Sequence, residues 1–201
     1  MGRTKASCRQ CRREKEKLFL KGDKCATKKC PVERRKYPPG QHGAANTRIS
    51  EFGKRMREKQ KAKRIYGLTE TQFRNYFERA AKKTGATGQK LMELLERRLD
   101  NAVYRFGYTA SRQAARQVVH HGHVMVNNRK VDIPSFEVKI GDKILIKPGI
   151  LERAKDRLKE YTPPAWLSLN EDFTGDIIRL PSKDDTEKLV LESAIVEYYS
   201  R

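Results

Sequence analysis

The sequence predicts an α+β fold: a basic, metal-bound N-terminal arm, a helical domain, and short helices packed on a small, mainly antiparallel sheet. Three observations point there. Apolar residues recur at helical spacing from about residue 50 to residue 120. From His123 onward the period changes, and Asn-Asn and Gly-Asp pairs punctuate short β-type runs. Positive charge is crowded into the front: residues 1–64 carry 22 Lys and Arg against six Asp and Glu, net +16 of the chain's +20. Its first 48 residues have little apolar area and are expected to be poorly ordered without a partner or a metal.

Residues 1–48 read as the arm, rich in Lys, Arg, Gly and Pro. Within it "RRKYPPGQHGAANTR" reads as an extended loop, held open by its prolines and glycines. The helical domain is expected over residues 49–96. Ser50 can cap a helix running through Lys63, with a thin apolar stripe of Phe52, Met56 and Ile65. Thr69 and Gln72 have capping-box spacing ahead of Phe73, Tyr76, Phe77 and Ala80. One helix is predicted from about Gly88 to Phe106, with Leu91, Leu94, Leu95, Leu99, Ala102, Val103 and Phe106 on one face. Thr109 can cap a shorter helix, "ASRQAARQVVHH", that Gly122 ends.

"HVMVNNRKV" then reads as strand, Asn127-Asn128 turn, strand, because Asn tolerates the left-handed backbone of tight hairpins. "FEVKIGDKILI" reads as two more strands joined at Gly141-Asp142, and a helix is expected over 151–160. Pro163 and Pro164 break the chain there, which closes a second domain over 97–164. The segment 165–201, net −4, reads as strands at "WLSLN" and "GDIIRL" and a final helix at "ESAIVEYYS", packing back on the preceding domains.

All four cysteines lie in the arm: Cys8, Cys11, Cys25 and Cys30, spaced C-x2-C-x13-C-x4-C. A Cys-x2-Cys pair lets two thiolates of one tight turn reach one metal, and the second pair completes a tetrahedron, which suits zinc. Neighbouring Lys and Arg favour the thiolate, the form that binds metal. An iron–sulfur cluster, free buried thiols and redox disulfides remain alternatives. No secretory leader is recognisable at the start, so a reducing compartment is expected, and no apolar run approaches the roughly 20 residues of a membrane span.

Catalytic patterns are missing. "GATGQK" is G-x-x-G-x-K and not a phosphate-binding P-loop, and neither G-x-S-x-G nor H-E-x-x-H occurs. The chain reads as a non-enzyme that binds a phosphate polyanion. The expected contacts in the arm are Arg3, Lys5, Arg9, Arg12, Arg13, Arg34, Arg35, Lys36, Tyr37, Gln41 and His42. Lys54, Arg55, Lys61 and Arg64 add cations from the first long helix. Further on, Ser111, Arg112, Gln113 and Arg116 open a helix, His120 and His123 follow near its end, and the basic hairpin of Asn127, Asn128, Arg129 and Lys130 is expected beside the helix start. Helix start plus basic hairpin suits structured RNA, which is read through shape, phosphate and 2′-hydroxyl.

Ser111-Arg112, then Ala115-Arg116-Gln117, then Gly122-His123-Val124-Met125-Val126-Asn127, then Gly141-Asp142 resemble the pattern of the S-four RNA-binding domain. That module occurs in many proteins, pseudouridine synthases and small stress proteins among them. The flanks "LFLKG", the paired cysteines, "ERRKYPPGQHG", "EFGKRMREKQKAKRIYGLTETQFRNYF" and "VEYYSR" extend the resemblance over essentially the full 201 residues, to the universal S-four ribosomal protein family in its bacterial-type, zinc-binding form. The resemblance implies a non-enzymatic constituent of the small ribosomal subunit in the cytoplasm. It implies direct binding of small-subunit ribosomal RNA, nucleation of the 5′ domain, contact with ribosomal protein five at an interface tied to decoding accuracy, and a place near the messenger RNA entry path. The rivals are an RNA-modifying or stress-related protein with an S-four domain, and a zinc-containing DNA-binding regulator. After Ile146 too few residues remain for a catalytic domain, and no recognition helix adjoins the cysteines.

Overall fold

The computed structural model describes residues 7–45 and 48–200; Arg3 and Lys5 lie outside them. In chain order the helices are α1 (Ser7–Glu14), α2 (Pro31–Arg34), α3 (Glu51–Ile65), α4 (Glu70–Ala81), α5 (Thr87–Glu96), α6 (Leu99–Arg105), α7 (Arg112–His120), α8 (Pro148–Glu160) and α9 (Glu192–Tyr199). The strands are β1 (Val124–Val126), β2 (Arg129–Lys130), β3 (Lys143–Ile146), β4 (Leu167–Leu169) and β5 (Gly175–Ile177). The chain divides into two compact units, residues 1–75 with 189–201, and residues 76–188.

In the first unit the Ser50 hydroxyl accepts from the Gly53 amide at 3.1 Å and starts α3. The Thr69 and Gln72 side chains each accept the other's amide at 3.3 Å, so α4 opens with the expected capping box. The apolar stripe of α3 is too thin to hold it alone. Aromatic rings and buried ammonium groups complete the interface with α9: Phe52 and Tyr198 stack at 5.5 Å between centroids, and Lys59 Nζ lies 4.7 Å from the Tyr198 centroid. Lys61 Nζ donates to the Leu189 carbonyl at 3.0 Å.

The second unit is built on one antiparallel sheet of order β2-β1-β3-β5-β4. Asn127 and Asn128 have φ of 49° and 63°, the pair of left-handed residues that a two-residue hairpin turn requires. The inward residues Val124, Val126, Ile144, Ile146 and Ile177 meet Leu99 and Val103 of α6, Phe106 at its C-terminal end, Ala115 and Val119 of α7, Ala154 and Leu158 of α8, and Trp166 in one core. Gly175 lies so close to Phe106 that a Cβ there would be 2.5 Å from the ring.

Three local expectations are corrected. The predicted Gly88–Phe106 helix is two helices, broken at Arg97 and Arg98. Arg98 is extended (φ −68°, ψ 137°); the Leu99 amide donates to the Phe136 carbonyl at 2.8 Å, and the Val138 amide to the Arg97 carbonyl at 2.9 Å. The Arg98 guanidinium is buried against both Asp100 carboxylate oxygens, at 3.0 and 2.7 Å, and the Tyr76 hydroxyl, at 2.9 Å. Periodicity runs straight through this break because both helices bury the same face. The same pairing uses up "FEVKI", which makes one isolated bridge between Arg98 and Glu137 and not a strand of the sheet. Third, the cap of α7 is Ser111, whose hydroxyl accepts from the Ala114 amide at 3.3 Å, while the Thr109 hydroxyl donates to the Ser111 carbonyl.

Candidate nucleic-acid interface and cysteine cluster

Cys8 and Cys11 project from one turn of α1, so a helical turn, not a tight loop, sets their spacing. Cys25 ends the 3-10 turn Gly22–Cys25, and Cys30 stands at the N-terminus of α2. All four line one small cavity with Leu20 and Val32. They are free thiols; Cys11, Cys25 and Cys30 are buried and Cys8 is half-buried. The Lys21 amide donates to Cys25 Sγ at 3.4 Å. Burial raises the Cys11 pKa, and a contact with the Leu18 backbone opposes it; the other three cysteines raise it further. Thiolates gathered this closely repel one another unless a cation sits among them. Among the described residues, no group of three or more His, Cys, Asp and Glu stands as a ready-made ligand set.

Arg12 is half-buried and holds the arm's loop. Its Nε donates to the Tyr37 carbonyl at 3.1 Å and its Nη2 to the Pro38 carbonyl at 3.4 Å, and its guanidinium lies 5.0 Å from the Tyr37 ring centroid. The loop closes so tightly that a Cβ on Gly43 would sit 1.9 Å from the Pro38 carbonyl oxygen. Arg9, Arg13, Arg34, Arg35, Lys36, Tyr37, Gln41 and His42 are exposed.

The α3 cations divide. Lys54 is exposed beside Glu51 at 2.6 Å, and Arg55 pairs with Glu197 at 2.6 Å. Lys61 is turned inward and buried, bound by Glu58 at 2.8 Å, Glu16 at 3.0 Å and the Leu189 carbonyl. Arg64 and Arg57 converge on Glu14, whose side chain is only 1% exposed. Burial pushes the Glu14 carboxyl above its usual range, and Arg64 and Arg57 pull it back only in part. Lys61 is therefore an interior counter-charge, and half-buried Arg64 is tied to the buried Glu14. Composition cannot reveal this, because their acidic partners include residues some 50 positions away in sequence.

On α7, Arg112 also faces its own unit. Its Nε donates to Asn101 Oδ1 at 2.8 Å and its Nη2 to Glu187 at 2.9 Å, with the guanidinium 4.6 Å from the Tyr104 centroid. Arg116 lies 3.7 Å from Asp100, Gln113 is half-buried, and Ser111 is a buried cap. His120 and His121 are exposed and His123 is half-buried, with His121 and His123 rings 6.0 Å apart. Asn127 ties two turns together, donating to Asp142 at 2.8 Å and accepting from the Lys143 amide at 2.9 Å. Asn128, Arg129 and Lys130 are exposed, and the Lys130 stem crosses Gly122, where a Cβ would lie 2.1 Å from its Cε. The hairpin thus abuts the C-terminal end of α7 and not the Ser111–Arg116 start expected from sequence. Lys139, Lys143 and Lys147 add exposed cations in and around β3. The exposure of Lys143 follows from the strand pattern, since it alternates with buried Ile144 and Ile146.

A small antiparallel sheet backed by short helices, with cations on its hairpin, is the setting in which residues 97–144 match the model of the S4 domain, so this is an S4-domain protein. Residues 3–96 match the model of the "Ribosomal protein S4/S9 N-terminal domain". The chain belongs to the ribosomal protein S4 family. It is 52% identical to "Small ribosomal subunit protein uS4" of Desulforamulus reducens over 96% of both chains, and 52% identical to the protein of that name from Syntrophomonas wolfei over the full length of both. The protein of that name from Dictyoglomus turgidum is 50% identical over 98% of both chains.

Proposed function

We propose that this chain is a structural, non-catalytic constituent of the small ribosomal subunit that binds small-subunit ribosomal RNA directly. The observation that carries this reading is end-to-end similarity to proteins named for that subunit. The exposed cations of the arm and of the β1–β2 hairpin supply the phosphate contacts, and Asn128 reaches the RNA beside Arg129 and Lys130. In this reading the protein helps nucleate the 5′ domain, works beside ribosomal protein five in decoding accuracy, and lies near the messenger RNA path. Cys8, Cys11, Cys25 and Cys30 hold one zinc ion, which fixes the relative placement of α1, the 3-10 turn and α2 and so aims the arm's cations. The convergence of four thiols on one cavity supports that assignment. The arm over 1–48, the helical domain over 49–96 and the S4 domain over 97–164 act together on the RNA.

The deciding experiment is competition binding at about 150 mM salt, where non-specific affinity is suppressed. A transcript of the 5′ domain should displace duplex DNA and unrelated RNA. Equal affinity for all three would overturn the proposal.

A further inference from the structure

Arg112 and Arg105 meet one removable carboxylate. Arg105 donates from Nε and Nη2 to the fully buried Glu96, at 2.9 and 2.7 Å. Asn101 Nδ2 donates to the same carboxylate at 2.6 Å, and Asn101 Oδ1 accepts from Arg112 Nε. Tyr104 supports the Arg112 guanidinium from one face. Both arginines are therefore held by buried neighbours within their own unit. The charge of Glu96 offsets that of Arg105, and the Arg112 charge has a carboxylate of its own.

Glu187 meets it. Its Oε2 lies 2.9 Å from Arg112 Nη2 and 3.7 Å from Arg105 Nη2. Among the described residues these two arginines are its partners. The segment that carries it is anchored without its side chain: Asp185 bonds Ser182 and Arg179, and Thr186 donates to the Lys183 carbonyl. Rotation of one side chain, itself 20% exposed, would uncover the pair without disturbing the backbone.

We propose that Arg105 and Arg112 form a phosphate site that Glu187 fills in the free protein, and that an RNA phosphodiester displaces it. A phosphate oxygen can accept from the same Nη2 atoms that hold the carboxylate, and guanidinium recognises both anions through the same donor geometry. Glu187 is thus an internal competitor that sets the threshold for RNA at this point. This inference rests on the RNA-binding reading above, and its test separates the two.

The test measures affinity for the 5′-domain transcript with full-length wild type, Glu187→Gln, Glu187→Asp and Glu171→Gln, the last an exposed carboxylate in the β4–β5 turn. Thermal unfolding checks that each variant is folded. Glu187→Gln should bind about two- to fivefold more tightly, the range expected for release of one partly exposed ion pair. Glu187→Asp should gain less, and Glu171→Gln should gain nothing. In an Arg112→Gln background the gain should vanish. An unchanged or weakened folded Glu187→Gln, an equal gain from Glu171→Gln, or a gain that survives Arg112→Gln each overturns the proposal. Titration with inorganic phosphate, followed by the Arg112 Nε–H NMR resonance, reads the site without RNA. Tighter phosphate binding by Glu187→Gln, in a protein that does not prefer the transcript, would support the site and sink the ribosomal reading; no difference there counts against the site.

Discussion

Replacing Asp100 with Ala decides between a continuous helix and the observed break. If residues 88–106 formed one helix, Ala would be the better helix former and the change would be neutral or stabilising by a few tenths of a kcal/mol. The structure predicts the opposite sign. Arg98 is 2% exposed and Asp100 4%, and two hydrogen bonds of 3.0 and 2.7 Å join them. Removing the carboxylate leaves a buried guanidinium with the Tyr76 hydroxyl at 2.9 Å as its remaining close partner from this pair's surroundings. Breaking a buried pair in this one-sided way costs about 3–5 kcal/mol. For a unit of this size that is a fall in Tm on the order of 10–30 °C. The chain's single tryptophan, Trp166, is fully buried in the same unit, so its fluorescence during urea unfolding reports on that unit. The double variant Arg98→Met/Asp100→Leu removes both charges and should recover most of the loss. A loss under about 1 kcal/mol, or a double variant no better than the single one, would refute the reasoning.

Gly175→Ala places a methyl group 2.5 Å from the buried Phe106 ring and should cost about 1–3 kcal/mol by the same fluorescence assay. Cys8→Ser/Cys11→Ser should speed amide exchange across α1 and α2 and weaken ribosomal RNA binding, while Trp166-monitored unfolding stays unchanged; unaltered exchange and affinity would make the cysteines dispensable. Burial raises the Asp185 carboxyl, but hydrogen bonds from Arg179 and Ser182 outweigh it and hold its pKa below the ordinary 3.8. The native state therefore binds this proton more weakly than the unfolded state. The stability Asp185 contributes is present above pH 3.8 and is lost as pH falls through its lower native value, so Asp185→Asn should flatten the acid limb of the stability curve.

Much of the fold was legible because it is written in short-range chemistry. Ser50 and the Thr69–Gln72 pair start their helices by bonding backbone within three residues. Asn127-Asn128 turns the hairpin through its own backbone preference. The break at Arg98 was illegible because its cause, the 134–138 segment, lies some 40 residues away. The site residues divide in the same way. Arg129 and Lys130 are exposed, as a polar hairpin tip should be. Lys61, Arg64 and Arg112 look identical in sequence to surface cations, yet Glu58 and Glu16, Glu14, and Glu187 draw them in.

Composition, spacing and local propensity carry the class of fold and the polyanion-binding character, and the motifs from Ser111 to Asp142 with their flanks carry the family resemblance, because none of these needs coordinates. Which charges face outward depends on how the chain packs. A cation's availability depends on whether a carboxylate lies within a few ångströms of it, and that distance is set by packing between segments far apart in the chain.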